Sequence, residues 1–475
     1  MKLITIIFFS TIIFQHSLIS QSCLSDGINF STQESIDNFQ NNNPNCTEIE
    51  GDVWIVGDDI TNLNGLSVLT SIEGSFRIDY CENLENLLGL EGLSYVGEDI
   101  SFYSNSSISS LLGLNNLISI GTDLNIVSHG SLVNLNGLEN LTSIGRDLTI
   151  KNCPLNNLSG LENLSIIGGY LWVIGTKISN FIGLDNLTYI ESDFYVNNND
   201  SLVNFNGLSN LAVIGGDLTI GSPVIYESNQ SLINLSGLNS LTSVNGSVKI
   251  ENNNSLTNLT GLDNLTFIGG SLWLEDNDSL TSLLGLNNLD TIYHGLYLIE
   301  NEAITDLSDL HKLTTVGLIW VQHTDSLKDL SGLENVNPDK ICNVLLNDNY
   351  SLSSCEIKSL CDYFALPDAQ TVIYNNATGC DSRDEIELAC EEADIPDYYS
   401  PIFKILPNPV KNEIFISNKD DVKIIGINIY NQLGQIVLQA QKATTKIDVS
   451  RLTHGIYFIE IESKNFLVRK KLIKE

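Results

Sequence analysis

Apolar positions recur along this chain with two superposed periods. In Leu272-Trp273-Leu274-Glu275-Asp276-Asn277-Asp278-Ser279-Leu280, Leu272 and Leu274 alternate with period two, so a short strand points both inward. Asn and Asp then turn the chain, because both tolerate left-handed backbone. Leu280, Leu283, Leu286, Leu289 and Ile292 follow at three-residue spacing. That spacing is too regular for a strand and too broken by Asn for a helix. It predicts arc-like coil or 3₁₀ pieces feeding the same core. The unit is marked by a Gly-Leu pair whose Gly stands at 65, 89, 113, 137, 160, 183, 207, 237, 261, 285 and 332, with Asp309-Leu310 filling the one missing place. The steps are 23 or 24 residues except for a single step of 30. A period this strict predicts a solenoid.

The pattern L-x-I-x-x-N with a closing Leu resembles leucine-rich repeats. Its fuller form, L-x-N-L-x-x-I-G-G-x-L-x-I-x-x-N, is similar to the receptor L-domain family over roughly residues 50–350. The resemblance implies a mainly β chain, a leucine-rich, right-handed, single-stranded β-helix of about 13 coils, or a rod of roughly 60 Å at ~4.8 Å per coil. It is strong for architecture and weak for activity, since the family spans ligand-binding ectodomains and other surface proteins. The Asn after each strand predicts ladders of side chains bonded from coil to coil.

The chain changes character after Cys390. The acidic, Pro-containing stretch 391–400 reads as a linker. Beyond it come Pro407-Asn408-Pro409, Ile427-Asn428-Ile429-Tyr430, Leu433-Gly434-Gln435, Gly455-Ile456-Tyr457-Phe458 and Lys470-Lys471-Leu472-Ile473-Lys474. Alternating β-formers separated by turn residues predict a small antiparallel β-sandwich over 401–475. These landmarks, in this order, resemble the type A sorting domain of the type IX secretion system. The residues carrying the resemblance are Pro407, Asn408, Pro409, Gly434, Gly455, Tyr457, Lys470 and Lys471. It implies export through the type IX machinery to the bacterial surface or medium. The tail would serve as the address and then be removed, leaving the body released or anchored on surface glycolipid. A stably retained sandwich is the alternative.

Residues 1–20 read as a secretory signal peptide: Lys2 opens it, and Leu3 to Phe14 form an apolar run too short to span a bilayer comfortably. Cys23 raises a lipoprotein alternative, but Ser20-Gln21-Ser22 lacks the Leu that a lipid-attachment box prefers. No later segment approaches the ~20 apolar residues of a membrane span. Export makes disulfides the default reading of cysteine. Cys23 and Cys46 fall in an N-terminal cap (21–50), and Cys355, Cys361, Cys380 and Cys390 in a C-terminal cap (351–390) around repeats at 51–350. The pairing within the second group is open. Cys81, Cys153 and Cys342 read as packed thiols. Zinc is not supported, because the spacings are not C-x₂-C and no His is nearby.

Charge sharpens this division. Residues 401–475 hold 12 basic and 7 acidic side chains, whereas 1–400 hold 11 basic and 51 acidic. So acidic a body repels polyphosphate, which excludes nucleic acid as a partner and disfavours anionic polysaccharide. No catalytic residues emerge: His129, His294, His311 and His323 stand in no hydrolase or metalloenzyme frame, and Glu275/Asp278 read as solvated turn residues. No cofactor or metal is expected, although Asp276-Asn277-Asp278 keeps calcium open as a lesser alternative.

The informative register is the middle strand residue, which must face outward. It runs Trp54, Arg77, Ser101, Asn125, Thr149, Trp172, Tyr195, Thr219, Lys249, Trp273, Tyr297, Trp320, Leu345 and takes in all four Trp. Trp172/Tyr195 and Trp273/Tyr297/Trp320 are runs in consecutive coils, with rings expected near 4.8 Å apart. One reading is a stacking ladder that protects an exposed sheet. The other is a binding face for an extracellular protein or glycan, with Trp and Tyr as hot spots or flat platforms. The long step places extra residues 221–227, including Tyr226, in a loop between the two runs. The expectation is a non-enzymatic recognition or adhesion protein. A structural spacer rod is the rival, and a cryptic hydrolase the third reading.

Overall fold

The computed structural model describes residues 22–224, 228–393, 403–418, 423–432, 434–441, 445–463 and 467–474. The signal segment and Tyr226 lie outside the described residues, as do most of the linker and Leu433. Residues up to Ala389 form one compact unit, and those from Cys390 a second.

The first unit is a parallel β-solenoid of about 15 turns. Four-residue strands such as Val53–Val56, Phe76–Asp79, Leu171–Ile174 and Leu272–Glu275 stack in parallel register from Ile28–Phe30 to Thr371–Tyr374. The repeat count suggested two turns fewer, because both cap segments extend the ladder with a strand of their own. Each coil also contributes a second, two-residue strand, as at Ser143–Ile144 and Phe267–Ile268. In Thr291–Ile299 and Thr315–Gln322 the two strands merge.

The core matches the three-residue spacing. Leu280, Leu283, Leu286, Leu289 and Ile292 are all fully buried, as are Leu272 and Leu274. The arc between strands is mostly irregular turn, tightening to 3₁₀ at Asn64–Leu66, Ser308–Leu310 and Ser331–Leu333. This explains the Gly marker and its exception. In the irregular arcs Gly113 has φ +119°, and a Cβ there would meet Leu87 O of the preceding coil at 1.9 Å. The 3₁₀ arcs keep negative φ, so Asp309 fits where Gly is otherwise required.

After each long strand one residue adopts left-handed backbone, including Tyr80, Ser104, Asn152, Asn198, Asp276, Glu300 and His323. That kink turns the next side chain into the interior. The resulting buried column runs Cys81, Asn105, His129, Cys153, Thr176, Asn199, Asn229, Asn253, Asn277, Asn301, Thr324 and Asn349, and ends at the half-buried Asn376. Asn277 shows the bonding. Its Nδ2 donates to Ile250 O (2.9 Å) and Glu275 O (3.0 Å), while its Oδ1 accepts from Asn253 N (3.1 Å). Asn105, Asn199, Asn229, Asn253, Asn301 and Asn349 each donate to the preceding coil in the same way. At His129, Nδ1 faces Asn105 O (3.0 Å) and Nε2 faces Phe102 O (3.2 Å). Burial nevertheless holds the imidazole pKa below its usual 6.5, against the pull of those two carbonyls. Burial likewise pushes the Cys81 and Cys153 thiols up to about 11, as expected of packed thiols.

Cys342 corrects the sequence reading. It is exposed, because it lies before the strand Asn343–Asn347 begins and is not held by the pairing that turns Val344 and Leu346 inward. Cys23 pairs with Cys46 and Cys355 with Cys380, each at a Cα separation of 5.7 Å, and Cys361 and Cys390 are also disulfide-bonded.

The second unit has a three-stranded sheet (Phe403–Leu406, Glu413–Asn418, Lys446–Asp448) and a four-stranded sheet (Ile424–Tyr430, Ile436–Gln441, Gly455–Ser463, Leu467–Lys474), both antiparallel. Its core includes Phe403, Ile414, Ile427, Ile429, Ile459, Ile461 and Leu472.

Two outcomes follow from the buried column. Asn277→Ala strips partners from two carbonyls and one N–H, so urea unfolding should show a loss of about 1–3 kcal/mol. Asn264→Ala, at an exposed outer asparagine, should stay within about 0.5 kcal/mol. Burial favours the neutral form of His129 in the fold, while in the unfolded chain it takes a proton near pH 6.5. Its contribution is therefore complete above that pH and is lost as the pH falls below it. His129→Asn should abolish that component, measured as the difference between the two proteins' stability–pH curves.

Candidate functional site: the outward face of the long strands

The outward register is continuous. Asn29 pairs with Trp54, Trp54 with Arg77, Trp172 with Tyr195, Trp273 with Tyr297, and Tyr297 with Trp320. Each coil shows three outward columns, because alternate residues of an extended strand share a face. The first is rich in Asp, the second holds the aromatic residues, and the third carries hydrogen-bond acceptors.

The Asp column is structural. Asp99, Asp123, Asp147, Asp193 and Asp217 each use Oδ1 to accept the N–H of the equivalent residue one coil on, at 2.7–3.2 Å. Stacking carboxylates this closely has an electrostatic consequence. Partial burial raises the Asp123 pKa, the Asp147 N–H opposes this, and the charges of Asp147 and Asp99 add to the rise.

In the aromatic column every indole N–H is bonded. Trp54 Nε1 donates to Asp79 Oδ2 and Trp172 Nε1 to Asn197 Oδ1, both at 3.1 Å. Trp320 Nε1 donates to Gln322 Oε1 at 3.1 Å, and Trp273 Nε1 to Glu275 Oε2. Tyr195 OH donates to Asp193 Oδ2 at 2.7 Å, and burial with that carboxylate keeps the phenol protonated well above its usual range.

Ring geometry departs from the flat platform considered above. Trp273 and Tyr297 stack face to face, with centroids 4.3 Å apart and planes 18° apart. Tyr297 and Trp320 are tilted at 5.9 Å, and Trp172 meets Tyr195 edge-on at 6.3 Å. Lys151 Nζ lies over the Trp172 ring at 5.1 Å. Each ring of the two runs thus has a neighbouring ring or cation against it, but only Trp273 and Tyr297 meet face to face. Between the two runs, Lys249 is paired with Asp217 at 2.7 Å. The long step begins as Ser222, Pro223 and the exposed Val224.

The calcium alternative fares differently. Asn277 points into the core ladder and Asp278 is exposed, so the three side chains of 276–278 do not converge. Among the described residues no group of three His, Cys, Asp or Glu side chains is arranged to hold a metal ion. Asp276 has its pKa pushed up to about 6, first by burial and then by the adjacent Glu300. The histidines are dispersed: His129 sits in the ladder, His294 lies beside Tyr293, His311 Nδ1 faces Ser308 O, and His323 occupies a left-handed turn.

The sequence reading passed over a cluster at the first coils, where Arg77 lies between Trp54 and Tyr103 above a buried Asp79. Trp54 and Arg77 already share the outward register, but Tyr103 stands one column over. Only stacking the coils as a two-dimensional sheet brings the three together.

In the second unit, Asn408 Nδ2 donates to Lys471 O and Asn408 Oδ1 accepts from Ile473 N, both at 2.8 Å. The Pro407-Asn408-Pro409 segment thereby clips the last strand, where Lys470 and Lys471 pair with Ile459 and Phe458. Gly434 takes φ +73° in the hairpin turn after Tyr430. Tyr457 OH donates to Thr453 O at 3.0 Å.

Residues 404–475 match the secretion system C-terminal sorting domain, and residues 212–305 match the receptor L domain. The chain carries a receptor L domain and a type IX sorting domain. No curated protein matches it. The receptor L-domain match spans a narrower stretch than the repeats themselves, which keep the same register on either side of it. The sorting domain makes this a secreted or cell-surface bacterial protein. No helix of the described residues is long and apolar enough to cross a membrane.

The stacked pair of the receptor L domain is testable in isolation. A double-mutant cycle on Trp273→Ala and Tyr297→Ala should give a coupling of about 0.5–1.5 kcal/mol.

Proposed function

We propose that this protein is a non-enzymatic recognition or adhesion protein that engages an extracellular protein partner through the aromatic column of its long strands. The observation that carries the reading is the orientation of the rings. Trp273, Tyr297 and Trp320, like Trp172 and Tyr195, stand in register in consecutive coils and are oriented by contact with one another. Such rings lose little conformational entropy on contact and supply apolar area beside satisfied polar groups, as interface hot spots do. Sugar rings stack on aromatic faces, and the face-to-face contact of Trp273 with Tyr297 takes one face from each, which favours a protein surface over a glycan.

A structural rod is the second reading. The face-to-face Trp273–Tyr297 pair favours it, because such a contact also stabilises a sheet that binds nothing. The two readings separate on Trp273→Ala and Trp320→Ala, assayed on an array of extracellular proteins and glycans alongside unfolding measurements. Recognition requires binding to a protein probe that falls about tenfold or more while the protein stays folded. A stability loss with unchanged array signals supports the rod.

The sorting domain serves as an address and is removed after export, with the body then released or held on surface glycolipid. Mass spectrometry of the exported protein should find no peptide containing Lys474-Glu475. Its retention in the surface form would show a permanent domain.

A further inference from the structure

The ladder of long strands ends at Thr371–Tyr374, which pairs only with Asn343–Asn347. Val344 N–H donates to Gln370 O (3.1 Å) and Asp348 N–H to Tyr374 O (3.2 Å). Backbone groups alternate sides along a strand, so those of residues 370, 372 and 374 face that neighbour. The N–H and C=O groups of Thr371 and Ile373 therefore point away from the sheet. Among the described residues nothing bonds to them. A row of directional donors and acceptors is left at the end of the solenoid.

This edge is held in place and left unguarded. Just before the strand, Gln370 N donates to Tyr363 OH (2.8 Å), which donates to Gln370 O (2.9 Å). Just after it, Asn376 Nδ2 donates to Leu346 O (2.7 Å) and to the carbonyl of Cys380 (3.0 Å), which is disulfide-bonded to Cys355. Soluble proteins commonly blunt an edge strand with Lys, Pro or a bulge. Here the residues are Thr-Val-Ile-Tyr in unbroken register, with Val372 43% and Tyr374 46% exposed. At the opposite end of the ladder, the strand Ile28–Phe30 shows solvent the polar Asn29 instead.

Unpaired backbone groups beside exposed β-branched and aromatic side chains match one kind of ligand, an extended chain that adds as a further strand. Charge narrows the choice. Residues 351–393 hold nine acidic and two basic side chains, and both basic ones, Lys358 and Arg383, are paired with carboxylates. A second copy would bring two such acidic caps together, whereas a basic strand is attracted. We propose that the edge of Thr371–Tyr374 captures an extended, basic, β-branched segment of an extracellular protein as the next strand of the sheet. Val372 continues the outward register of Trp320 and Leu345, so the captured strand places a side chain in line with that column. The site uses no residue of either aromatic run and stands or falls apart from recognition by them.

The test is titration of the full chain with the peptide acetyl-KTVTVTVK-amide, followed by calorimetry and by amide hydrogen exchange. Binding is expected, with exchange at the Thr371 and Ile373 N–H slowed about tenfold or more and that at Val372 and Tyr374, already paired, little changed. Thr371→Pro removes an outward donor and keeps the bonds to Asn343–Asn347, which continued protection of the Asp348 N–H verifies. Val372→Lys instead sets a like charge beside the peptide without altering the backbone. Each should weaken binding about tenfold or more, while Asn29→Lys at the other end of the ladder leaves it unchanged. No peptide binding would overturn the site, as would binding without slowed exchange at Thr371 and Ile373 or equal binding by both edge variants. Equal binding of the glutamate-flanked peptide acetyl-ETVTVTVE-amide would overturn the basic partner. Dimerisation in sedimentation that protects the same two amides without peptide would overturn capture of a foreign strand.

Discussion

The structure depends on one constraint: a chain that turns inward after every strand carries backbone carbonyls and N–H groups into an apolar core. Unpaired, each would be costly, and about 15 turns would multiply that cost. The buried column of Asn105, Asn199, Asn229, Asn253, Asn277, Asn301 and Asn349 removes it. An amide side chain donates and accepts at once, so each rung satisfies carbonyls behind it and an N–H in the neighbouring coil. Cys153, Thr176 and Thr324 meet only part of that demand, and His129 meets it with two ring nitrogens facing carbonyls. The left-handed residue before each rung exists to aim that side chain.

Because the interior is bonded coil to coil, the outer sheet is held straight and in register, and its side chains are free to vary. That freedom is where the functional content lies. The Asp column continues the coil-to-coil bonding outside, capping backbone N–H groups with carboxylates at the price of mutual repulsion, which the raised Asp123 pKa records. The aromatic column sits between acceptors that close each indole N–H. Trp273 and Tyr297 spaced by one coil stack on each other, whereas Trp54 at the start of the register has no ring behind it. One repeat position therefore produces a run of rings in contact with one another in one place and a ring beside a cation in another.

The sorting domain obeys different physics. Its β-strands are antiparallel around a small Ile-rich core, and Asn408 fastens the last strand through two hydrogen bonds. Asn408 and Tyr457, two of the residues by which the domain is recognised in sequence, are among those that hold it closed. Export by this route and a receptor L-domain body together define a protein made for the cell exterior, with disulfides at both ends of the solenoid.

Periodicity alone determined the solenoid, the inward Leu set, the outward register with all four Trp and the Asn ladder. Each of these is a local consequence of strand and turn geometry repeated at fixed spacing. The number of turns was undercounted because the end coils, Ile28–Phe30 and Thr371–Tyr374, lack the Gly-Leu marker and join only by pairing with their neighbours. The second, two-residue strand was missed because two residues carry no alternation to read. Cys342 looked packed because it lies among buried positions, yet it stands just outside the strand Asn343–Asn347 and is exposed. Ring orientation and the meeting of Trp54, Arg77, Tyr103 and Asp79 were decided only by the tertiary structure. They depend on side-chain rotamers and on contacts across coils about 24 residues apart, and a linear pattern records neither.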